Sequence, residues 1–96
     1  MPQAARQGDQ GIVHCSGYTI ANGSNNVYIN GKPAARVGDS STVHQRPGGN
    51  KCVPHTASIS RGSNSVFING KPAARKGDPL AGCTAIAQGS QDVNIG

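Results

Sequence analysis

Three copies of Ala-Ala-Arg-x-Gly-Asp constrain this chain more than anything else in it: they run from Ala4 to Asp9, Ala34 to Asp39 and Ala73 to Asp78. Self-similarity of this kind means that one supersecondary unit is used repeatedly, and it governs every other reading of the chain. A second block repeats as well. Gly23-Ser24-Asn25-Asn26-Val27-Tyr28-Ile29-Asn30-Gly31-Lys32-Pro33 aligns with Gly62-Ser63-Asn64-Ser65-Val66-Phe67-Ile68-Asn69-Gly70-Lys71-Pro72, and a third version starts at Gly89 and stops at Gly96.

Each block reads as a β-hairpin. Val27 and Ile29 alternate with Tyr28 and Asn30, and Asn30-Gly31 offers the positive φ angles that a tight primed turn demands. Val66, Ile68 and Asn69-Gly70 repeat the signal. Pro33 and Pro72 lack a backbone N–H, which places them at the start or on the open edge of the return strand, Pro-Ala-Ala-Arg. The Gly-Asp that follows is turn chemistry, with Asp able to accept from nearby backbone N–H groups. No window carries helical periodicity. The third hairpin reaches its turn at Val93-Asn94-Ile95-Gly96 and lacks a return strand, but Pro2-Gln3-Ala4-Ala5-Arg6 is a strand of the same type. The two ends are therefore expected to pair and close three units into a ring with pseudo-threefold symmetry, an all-β single domain over residues 1–96 with no effector extension.

Such a ring has little to hold it. Of 96 residues 34% are apolar, with one Phe, two Tyr and no Trp, so burial alone is thin for a chain this short. Disorder is the rival reading of low hydrophobicity, but Ile and Val recur at regular places and charged residues are only 14%. A staple is expected, and the sequence places one. Five residues after each Gly-Asp stands a strong metal ligand: His14, His44 and Cys83. In a threefold ring these converge on the axis. The only His left for a fourth donor is His55, in the stretch that makes the second unit longer, with Cys52 of Cys-x-x-His as its competitor. Three His and one Cys make a closed structural zinc site, whose binding energy is folding energy, on the order of 10 kcal/mol in zinc-finger peptides. Synthesis in a reducing cytosol favours Cys15 and Cys52 packing as free thiols, and a disulfide between them is the alternative in an oxidising compartment.

The same residues argue against other functions. A zinc hydrolase needs an open coordination position and a general base, whereas four protein ligands leave no place for water and the chain has no Glu; no enzyme is expected. The formal charge of +5 invites nucleic acid or anionic lipid, yet the basic residues recur singly at repeated positions and three aromatics are too few to stack bases. A basic zinc module that binds nucleic acid survives only as a minor alternative, whose sign would be steep salt dependence. No stretch approaches the roughly 20 apolar residues of a membrane span, and the N-terminus has no apolar run that could act as a secretory signal.

With Pro-Ala-Ala-Arg at Pro33 to Arg36 and again at Pro72 to Arg75, the sequence resembles the PAAR-repeat family over almost its whole length. The resemblance implies a short cone whose base docks on the blunt end of a trimeric β-helical spike, the VgrG protein of type VI secretion or its phage or pyocin-like tail counterpart. It implies a zinc near the sharp vertex, held by His14, His44, His55 and Cys83, and a mechanical role in piercing a target envelope. One copy per spike trimer is expected, with the protein monomeric when alone, made in the cytoplasm and exported as part of the spike. The spike is expected to meet the hairpins and the closing pair through Val27, Ile29, Pro33, Ala34, Val66, Ile68, Pro72, Ala73, Val93 and Ile95. One departure from the pattern is Gln3, which reads as an insertion into Pro2-Gln3-Ala4-Ala5-Arg6.

Overall fold

A computed structural model describes all 96 residues. The chain forms an elongated body of 40 × 23 × 23 Å built of short antiparallel hairpins, without a helix. Strands β1 (Tyr28–Ile29) and β2 (Lys32–Pro33) pair with Tyr28 opposite Pro33, and β5 (Phe67–Ile68) and β6 (Lys71–Pro72) pair with Phe67 opposite Pro72. Both turns are the ones Asn-Gly specifies: Asn30 and Gly31 sit at φ 56° and 76°, and Asn69 and Gly70 at 56° and 78°. Between these lies the longest hairpin, β3 (His44–Gly48) with β4 (Lys51–His55), in the stretch that the repeat alone leaves as an insertion. Pro47 and Pro54 argue locally against strands there. A two-stranded hairpin leaves one edge of each strand open, where a missing N–H costs nothing.

The third hairpin is completed from the other end of the chain, as expected. Gln3 bridges Asn94, the Ala4 N–H donates to the Val93 carbonyl at 2.9 Å, and the Ile95 N–H donates to the Pro2 carbonyl at 2.9 Å. The Ala4 bond matches Ala34 to Val27 and Ala73 to Val66, both also 2.9 Å. Gln3 is not an insertion. Its carbonyl accepts from Lys76 N–H as Pro33 accepts from Gln7 and Pro72 from Val37, so Gln3 occupies the proline position. The Pro-Ala-Ala-Arg return strand is also shorter than the sequence suggests. After the proline position the chain leaves its own hairpin and crosses to the neighbouring unit, in the bridges Arg6 to Ala34, Arg36 to Ala73 and Ala4 to Arg75.

That crossing explains the paired alanines. Ala5 N–H donates to Ala74, Ala74 N–H to Ala35 and Ala35 N–H to Ala5, each at 3.0 Å, a closed ring of three backbone bonds. Three strands meeting so closely leave room for a methyl group and nothing larger, and all six alanines of the three copies are 0% exposed. A larger side chain would overpack the junction. The ring divides the apolar interior in two. On one side Ala4, Ala34 and Ala73 pack with Ile29, Ile68 and Ile95; on the other Ala5, Ala35 and Ala74 pack with Ile20, Ile59, Ile86, Leu80, Tyr18 and Ala57. The glycines that open the hairpin blocks follow from the same crowding, because a Cβ on Gly62 would lie 2.5 Å from the Ala73 carbonyl oxygen.

The arginine and aspartate of each copy form an ion pair that the sequence reading assigned only to turn chemistry. Asp9 accepts from the Arg6 backbone N–H at 2.7 Å, from Nε at 3.0 Å and from Nη2 at 2.8 Å, and Asp39 with Arg36 and Asp78 with Arg75 repeat the geometry. The hydrogen bond to Asp9 raises the pKa of Arg6 above its already high ordinary value. These pairs are graded in burial: the side chains are 10% and 1% exposed in the first, 13% and 5% in the second, 20% and 9% in the third. Removing one partner of a buried pair strands the other, at a cost of about 3 kcal/mol or more. Asp9→Asn is therefore expected to cost the most and Asp78→Asn the least in urea unfolding; equal costs at the three sites would remove burial as the cause.

Candidate metal centre

His14, His44, His55 and Cys83 come together beyond the larger apolar cluster. His44 opens β3 and His55 ends β4, directly opposite each other, so the hairpin presents both rings on one side. The loop carrying His14 is held to that hairpin by Ser16 N–H to the Gln45 carbonyl at 3.3 Å and Gln45 N–H to Ser16 Oγ at 2.8 Å. Cys83 sits in a tight turn closed by its own N–H on the Leu80 carbonyl at 3.0 Å, with Gly82 at φ 66°.

The donor atoms are gathered within reach of one ion. His44 Nε2 lies 3.1 Å from His14 Nε2, 2.8 Å from His55 Nε2 and 3.3 Å from Cys83 Sγ, which is 3.2 Å from His14 Nε2 and 3.7 Å from His55 Nε2. Metal–nitrogen and metal–sulfur bonds of ordinary length in a tetrahedron give edges of about 3.4 Å and about 3.6 Å. With two nitrogen pairs closer than these edges and the sulfur distances around them, the four residues are close enough to share one ion, and four protein donors are the number a tetrahedral sphere takes.

Neighbours orient these four side chains. His44 Nδ1 lies 2.9 Å from the Thr42 carbonyl oxygen, which can only accept. Nδ1 therefore carries the proton and the Nε2 lone pair faces the cluster. Tyr18 stacks on the His44 ring at 4.2 Å between centroids, and its hydroxyl meets Thr84 Oγ1 at 2.9 Å. Burial pushes the Tyr18 phenol above its ordinary pKa, which keeps it neutral. Gly11 makes this packing possible, since a Cβ there would lie 1.9 Å from the Tyr18 ring. His55 is held below the usual histidine pKa, first by desolvation and then by His44 and His14, and the neutral ring is the form that binds a metal. Nothing in the sequence near the ligands announces Tyr18, Thr42 or Thr84 as their support.

Cys15 and Cys52 are joined by a disulfide, with Cα atoms 5.8 Å apart, rather than packing as free thiols. The β3–β4 hairpin lays Cys52 beside the loop that follows His14, and this proximity, which compartment alone does not specify, makes the pair. The pairing also removes Cys52 as a competitor of His55, and leaves Cys83 as the one free cysteine.

The residues expected to meet a partner lie at the hairpin end, across the alanine ring from the metal cluster. Ile29, Ile68, Ile95, Ala34 and Ala73 are buried there within the chain, Pro33, Pro72 and Val93 are half-buried, and Val27 and Val66 are each 37% exposed. Tyr28 and Phe67, which the sequence reading left out, are the large exposed side chains beside them, at 57% and 56%. Their position one residue before Ile29 and Ile68 in an alternating strand is the signal that could have found them.

Compared with models of known protein families, the sequence matches the one described as PAAR motif over residues 2–44 and 49–96. The gap between the two matches falls inside β3. Comparison with curated proteins finds no match.

Proposed function

The chain belongs to the PAAR-motif family, structural tips of the spikes of contractile injection systems, and on that premise we propose that it is a zinc-stapled cap for a trimeric VgrG-type spike, in type VI secretion first and otherwise in a phage-like tail. The observation that carries this reading is the ring of three backbone bonds among Ala5, Ala35 and Ala74, because it arranges three like units around one point. A single chain so arranged can meet a homotrimer one unit per subunit.

Zinc is the ion that suits three imidazoles and a thiolate in a closed tetrahedron. The work is mechanical: the cluster stiffens the end away from the spike, and the sheath's force falls on a small area of target envelope. At the other end the hairpins continue the spike's β-structure by strand addition. The ten residues named for this contact act through their strands, and Val27, Val66, Tyr28 and Phe67 supply the exposed apolar surface. The protein is a monomer alone, does not bind nucleic acid, is made in the cytoplasm and leaves it with the spike.

Native mass spectrometry with the cognate spike trimer is expected to find one copy per trimer. The double variant Val27→Asp, Val66→Asp is expected to lose the complex while keeping its metal, because neither residue touches the cluster. Three copies per trimer, or a complex indifferent to both substitutions, would refute the reading.

A further inference from the structure

The disulfide and the metal cluster cross-link the same parts of the chain. Cys15 follows the ligand His14, and Cys52 lies three residues before the ligand His55 on β4. Either cross-link ties the His14 loop to the β3–β4 hairpin, which carries two of the remaining three ligands. We infer that Cys15 and Cys52 form an oxidation-dependent second staple whose role is to lock the metal in once the protein meets a disulfide oxidant.

The chemistry is thiol–disulfide exchange. Each thiol loses a proton, the pair gives up two electrons as the S–S bond forms, and a small-molecule or protein disulfide takes them and becomes two thiols. Cys83 is the third cysteine, and as a metal-bound thiolate it is occupied. Exchange therefore joins Cys15 to Cys52, the pair the fold already sets within bonding reach.

The effect on metal affinity follows from loop closure. Because metal binding is coupled to folding, bringing His14 to His55 without the disulfide closes a loop of about forty residues of unfolded chain; with it, only the few residues beside the two cysteines stay free to move. Closure probability scales as about the three-halves power of loop length, so prior oxidation improves apparent affinity on the order of tenfold. The coupling is reciprocal: bound metal makes the disulfide harder to reduce by the same factor. Metal can thus be loaded onto the reduced chain and held more tightly after oxidation.

This inference rests on the proposed zinc site, and competition with a zinc chelator of known affinity tests the two separately. The measurement compares oxidised protein, protein reduced with a phosphine, which competes for zinc far less than a dithiol does, and the double variant Cys15→Ser, Cys52→Ser. Oxidised protein is expected to bind zinc about tenfold more tightly than reduced protein, and the double variant to match the reduced protein with or without reductant. The disulfide is expected to resist a dithiol redox buffer by the same factor more when zinc is bound. Equal zinc affinity in the two redox states overturns the inference and leaves the zinc site standing. No zinc in either state overturns both. Should the double variant fail to fold, the oxidised and reduced forms of the unaltered chain still decide between these outcomes.

Discussion

His44→Ala and Cys83→Ser are each expected to abolish metal binding and to lower the thermal midpoint by about 15 °C or more, which corresponds to roughly 3 kcal/mol for a domain of this size. Seven of the fifteen buried apolar residues are alanine, so the interior supplies little burial per residue and a metal held by the cluster is expected to supply the rest. His44→Ala also deletes a ring that is 3% exposed and stacked on Tyr18, so part of its effect is packing. Cys83→Ser keeps the shape and removes the thiolate, which isolates the metal's share. A chelator should lower the midpoint of the unaltered protein towards that of Cys83→Ser and leave the variant itself unmoved. Metal-free protein purified without chelator, or a midpoint indifferent to chelation, would remove the cluster from the stability of the fold.

Deleting residues 1–6 is expected to abolish cooperative unfolding altogether, a larger effect than trimming a loose end could have. The segment supplies the return strand for Val93 to Ile95, two of the three bonds in the alanine ring, and the Arg6 partner of the fully buried Asp9. Each loss leaves buried groups unsatisfied, and together they open the ring. Gln3→Pro is the informative contrast. Gln3 takes the place of Pro33 and Pro72 in the register, and no backbone bond uses its N–H, so proline there is expected to be neutral or to stabilise by up to about 1 kcal/mol through the unfolded chain. Slow amide exchange at Ala4 and Ile95 in the intact protein would accompany both results; fast exchange at these two positions would mean that the ends are not paired.

Much of this protein is legible without its structure because its information repeats. Asn30-Gly31 and Asn69-Gly70 determine their turns through φ alone, and that preference acts within four residues of chain. The three copies determine which strands are equivalent, and hence that the ends must supply one another's missing partner. The cluster was legible for the same reason: His14, His44 and Cys83 stand at one repeated position, and His55 is the histidine that remains. The Arg-x-Gly-Asp pairing is local too, and its signal is opposite charges three residues apart in every copy, a spacing that turn chemistry also explains. What the tertiary structure decided lies outside the repeat. The β3–β4 hairpin forms despite Pro47 and Pro54 because it leaves their edges open, and only its path places Cys52 beside Cys15. Tyr18 reaches His44 and Thr84 across 26 and 66 residues of sequence, over the space that Gly11 leaves clear. A repeat specifies equivalence between its copies, whereas contacts made by residues that occur once depend on where the whole chain has already been placed.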